Sequence, residues 1–67
     1  MNASQVIVLA RKHVGNGAAM DSSARMCLAD AVSLFDKENH EAAKRRAVDA
    51  LRYSVGIFHA DYKKAVS

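Results

Sequence analysis

The chain has 67 residues, ten of them Lys or Arg and seven Asp or Glu, for a net charge of +3; 51% of it is apolar. That length suits one domain, spanning residues 1–67, and barely suffices to enclose a substrate pocket. The lone cysteine, Cys27, excludes an intrachain disulfide, and the lack of proline with only three glycines argues against an all-β chain.

The first predicted helix covers residues 3–14. Asn2 or Ser4 can cap it, and Gln5 follows Asn2 at capping-box spacing. Val6, Ile7, Val8 and Leu9 could also pass for a buried strand, but no second strand is available to pair with them. Gly15 suits the left-handed position that ends such a helix, and Asn16-Gly17 extends the break.

The second helix covers residues 22–36 and starts in the capping cluster Asp21-Ser22-Ser23. Ala24, Cys27, Leu28, Ala31, Leu34 and Phe35 recur at three- and four-residue steps, which draws an apolar stripe down one face. Cys27 lies on that stripe, so a buried inert thiol is the expected state. The short polar link Lys37-Glu38-Asn39 turns the chain back antiparallel.

The third helix is expected over residues 39–64, with Asn39 as its cap and Glu41 in a first turn that favours negative charge. Its stripe is Ala43, Ala47, Ala50, Leu51, Ser54, Ile57, Phe58 and Tyr62, and Phe58 is expected in the core. Gly56, inside the expected helix, costs about 1 kcal/mol against alanine and reads as a slight bend or a close helix approach. Val48, Val55 and Tyr62 make a flanking row, and Tyr53 lies off the stripe, so these four residues outline an exposed apolar strip of the kind partners dock on.

The expected architecture is therefore all-α: three helices, the first packed across an antiparallel hairpin of the other two. Within it, residues 27–51 resemble one tetratricopeptide-type helical hairpin. Ala31 stands where that motif has its small first-helix residue, Leu34 and Phe35 at its following large positions, and Ala43 and Ala50 at its second-helix alanines. Three positions depart from it: His40 replaces the usual turn aromatic, Ala47 replaces a large residue, and no proline follows Leu51. A similar helix pair occurs in three-helix microtubule-interacting-and-transport domains. Either resemblance implies peptide or protein binding between helices, and no chemistry.

Charge is unevenly spread, at +2 over residues 1–20, −3 over 21–41 and +4 over 42–67, a polarity suited to self-assembly. Lys44, Arg45, Arg46 and Arg52 form the densest basic surface, with Asp49 placed to pair with Arg45 and Arg52. His13, His40 and His59 show no ligand spacing, and His59 and Asp61, two apart, would point in different directions on a helix. No catalytic triad, phosphate loop or cofactor site can be drawn, and a metal site could arise only where the tertiary fold or an oligomer interface brings ligands together. The longest apolar run, residues 6–10, is far short of the ~20 needed to cross a bilayer, and no export signal precedes it, so the cytoplasm is the default compartment. The function expected is a protein–protein interaction module, either a homodimer or an accessory subunit or chaperone of a larger assembly. The alternative is a small nucleic-acid-binding or regulatory protein using the basic surface.

Overall fold

In a computed structural model the described residues are 1–14 and 22–67, and they are all-helical. The elements are α1 (Ala3–Val14), α2 (Ser22–Asp36), α3 (His40–Ser54) and α4 (Ala60–Val66). The expected caps at Gly15 and Asp21, and the break at Asn16-Gly17, lie outside the described residues.

The capping box at the start of α1 forms as expected. Gln5 N–H donates to Asn2 Oδ1 at 2.9 Å, and Asn2 N–H donates back to Gln5 Oε1 at 2.9 Å. Ala3, Val6, Ile7, Ala10 and Val14 are buried along one face. Val8 is exposed, so helical geometry divides the apolar run that could have made a strand. Arg11, Lys12 and His13 occupy the last turn, where the helix dipole favours positive charge.

Helices α2 and α3 form the expected antiparallel hairpin, and α1 packs on both of them. The turn between them has Glu38 in the left-handed region at φ 63°, while Asn39 N–H reaches back to the Leu34 carbonyl at 2.9 Å. Asn39 is the cap residue of α3, though its side chain makes no capping hydrogen bond. Helix α3 is central, contacting α1, α2 and α4.

The core is built of small residues. Of thirteen buried apolar residues among those described, eight are alanine, and Leu51 and Val6 are the largest that are fully buried. Alanine lets helix backbones approach closely but contributes one methyl each, so the hydrophobic stabilisation is modest at about 25 cal/mol per Å² removed from water. No described helix is long and apolar enough to cross a membrane.

The expected 39–64 helix is corrected: α3 stops at Ser54, and a separate α4 begins at Ala60. Gly56 adopts φ 90°, which ends a helix that other residues would continue. Gly56 is no close approach either, since a Cβ placed on it would meet nothing within 4 Å. The chain then doubles back, and Ala65 of α4 joins the core cluster beside Ala47, Ala50 and Leu51.

Candidate functional site at the α3–α4 corner

The corner is built by hydrogen bonds that stop one helix and start the next. Val55 N–H and Gly56 N–H converge on the Leu51 carbonyl at 2.8 and 3.3 Å, and Ser54 Oγ donates to the same oxygen at 3.2 Å. Gly56 N–H also reaches the Arg52 carbonyl at 3.1 Å, and His59 N–H closes a tight turn onto the Gly56 carbonyl at 3.3 Å. Ile57 and Phe58 sit at the tip of that turn. Phe58 is 85% exposed and Ile57 49%, which corrects the expectation that Phe58 is core: the helix that would have carried it inward has already ended.

His59 takes up the cap position of α4 with extended backbone, and its Nδ1 accepts the Asp61 N–H at 3.0 Å. An imidazole thus does the work usually given to Ser, Thr, Asp or Asn. Asp61 then faces the end of α1, where its Oδ2 lies 2.7 Å from His13 Nε2. The His13 and His59 rings meet edge to face, with centroids 5.1 Å apart. The hydrogen bond from His13 holds the Asp61 carboxyl below its ordinary range against the opposing effect of burial, helped by the charges of His13, His59 and Lys12. One ligand atom from each of His13, His59 and Asp61 lies within 4.8 Å of the others. The expectation that His59 and Asp61 diverge is therefore corrected, because His59 precedes the helix instead of lying within it.

The four residues expected to form one exposed apolar strip are divided. Val48, Val55 and Tyr62 are partly buried and pack against the core, while Tyr53 is exposed. The Tyr53 ring lies 4.9 Å from the Arg52 guanidinium, and Arg52 Nη2 donates to the Tyr53 hydroxyl at 3.1 Å.

The basic surface is divided too. Arg46 bridges α2 and α3 by binding Asp30 at 3.0 Å, and it meets Asp49 at 3.4 Å. Arg52 lies 4.0 Å from Asp49. Asp49 therefore pairs with Arg46 and Arg52, not with Arg45 as the spacing suggested; the step of three residues on either side is the one that closes. Lys44 and Arg45 line an open groove of about 510 Å³ between α3 and α4, with Glu41, Val48, Asp49, Ala65 and Val66. A second cleft, of about 230 Å³ and mostly apolar, runs between α1 and α2 along Ile7, Val8, Val32 and Phe35, with Ser4, Arg11 and Asp36 at its rim.

Cys27 is 4% exposed, and burial pushes its thiol up, partly offset by Arg46. A thiol held protonated in an apolar face is a packing residue, as its place in the stripe implied. Comparison with known proteins gives no match, whether to a family model, to a curated protein or to a solved structure.

Proposed function

We propose that the chain is a small helical protein–protein interaction module that pairs with a second copy of itself. The observation that carries this reading is the 85% exposure of Phe58 on a turn held by its own backbone hydrogen bonds. An aromatic side chain displayed on a fixed turn loses little entropy on docking, and such residues dominate binding energy in interfaces. A suitable acceptor is present on the same chain, the apolar cleft between α1 and α2, where Val8 is 66% exposed. Reciprocal insertion of Phe58 into the partner's cleft gives a closed two-fold dimer in which the same surfaces are used twice. The small core supports the same conclusion, because a domain of this size with an alanine-rich interior gains from burying more apolar surface.

This reading asks no covalent chemistry of the chain. The nucleic-acid alternative is weakened by the ion pairs of Arg46 and Arg52, which leave Lys44 and Arg45 as the remaining cations of the basic surface.

Sedimentation velocity over a wide concentration range tests the proposal. The expected result is a reversible doubling of mass, with Phe58→Ser and Val8→Asp each weakening association at least about tenfold while helicity by circular dichroism is unchanged. A chain that stays monomeric at every concentration, or a dimer indifferent to both substitutions, would refute it.

A further inference from the structure

Three metal-competent side chains converge where α1 ends and α4 begins. His13 comes from the last turn of α1, His59 caps α4, and Asp61 stands in the first turn of α4. We propose that His13, His59 and Asp61 bind one divalent transition-metal ion of the zinc type, through one ring nitrogen of each histidine and one carboxylate oxygen. Two imidazoles and a carboxylate suit a borderline ion, whereas calcium and magnesium prefer oxygen-only surroundings. Three protein ligands leave the fourth tetrahedral position to water.

The distances are close to those a zinc ion requires. Tetrahedral zinc, with bonds of about 2.0–2.1 Å, spaces its ligand atoms about 3.3 Å apart. The His13–Asp61 pair, at 2.7 Å, must open slightly, and no pair within the 4.8 Å bound need close by more than about 1.5 Å. Side-chain rotation covers such shifts, and the exposed His59 ring turns by releasing the Asp61 N–H it accepts and its edge-to-face contact with His13.

Binding also has a defined proton balance. The short His13–Asp61 contact holds a proton between its two polar atoms, and an ion ligated by both sends it to the far nitrogen of a neutral His13 ring or, from a charged ring, to solvent. His59 gives up its cap in either ligation mode. If Nδ1 binds the ion, its lone pair is taken; if Nε2 binds, the ring proton moves to Nδ1, which can then no longer accept the Asp61 N–H. The ion would tie residue 13 to residues 59 and 61, closing most of the chain into one loop and supplying a staple that a small domain otherwise lacks.

Zinc chloride titrated calorimetrically into the full, untagged chain, with parallel thermal melts, tests the site. The expected outcome is one zinc per chain and a Tm rise on the order of 10 °C at a hundredfold excess over Kd. The Asp61 amide resonance should shift as it loses its acceptor. His59→Ala, which removes an exposed ring, should weaken binding by more than about tenfold, since losing a direct ligand exceeds the loss of an outer-shell partner. His40→Ala should leave binding unchanged, because that ring stacks on Phe35 instead, at 4.7 Å between centroids. No heat and no Tm change, affinity untouched by His59→Ala, or one zinc per two chains would each overturn the proposal.

Discussion

The two turns that flank α3 solve the same problem in different ways. Each reverses the chain with one residue in the left-handed region, Glu38 at φ 63° before the helix and Gly56 at φ 90° after it. At the first turn that residue has a side chain, and the neighbouring Phe35 is covered by the stacked ring of His40. At the second it is glycine, and the apolar residues that follow it, Ile57 and Phe58, face solvent. The first turn accepts local strain and keeps its aromatic residue half-buried, whereas the second avoids strain and displays one in full. The difference separates a turn that serves the fold from a turn that presents a surface.

Substitutions can break or sharpen this contrast. The largest effect belongs to the helix that both turns depend on. Leu51→Ala removes the larger of the two biggest fully buried side chains among the described residues and should cost about 2–5 kcal/mol, read as a lower urea midpoint. Next comes Gly56→Ala, which places an L side chain at φ 90° and should cost about 1–2 kcal/mol by the same measurement, although no atom stands in its way. Glu38→Gly should have the opposite sign. It relieves the left-handed strain and should stabilise by about 0.5–1 kcal/mol net of the added freedom of the unfolded chain. If both glycine exchanges moved stability in one direction, the contrast between the turns would fail.

A smaller effect is expected from acid. Asp61 titrates below its ordinary value in the folded chain, chiefly through the hydrogen bond to His13. Its ionised contact therefore stabilises above the unfolded carboxylate pKa of about 3.9, and the gain is lost as pH falls from there through the lower folded value. Asp61→Asn should flatten that limb of the stability–pH curve, measured by denaturant unfolding at several pH values.

Much of the fold was legible because most of it is local. The apolar spacing located α1 and α2, and Asn2 with Gln5 announced the capping box. The third segment misled because its apolar period survives the break. The turn consumes a number of residues that returns Tyr62 to the core, as an unbroken helix would, so periodicity alone cannot distinguish the two. Gly56 carried the missing signal, since a left-handed stop there makes His59 a cap and Asp61 a first-turn acid. The meeting of those two with His13 was not legible at all, because it depends on how α4 folds back toward α1. The ion pairs of Arg46 were missed: spacing offered Asp49 to Arg45 at a step of four as readily as to Arg46 at three, and the partner on α2 requires the hairpin to be closed.

The alanine interior constrains which sequences this fold can tolerate. At Ala31, Ala43, Ala47 and Ala50, all fully buried, the one smaller residue is glycine, which costs a helix about 1 kcal/mol, and enlargement overpacks the site at about 1–3 kcal/mol. Mutational drift at these positions is therefore blocked in both directions. A lineage keeping this fold should vary most at its rim and hold a nearly fixed column of methyl groups along its axis.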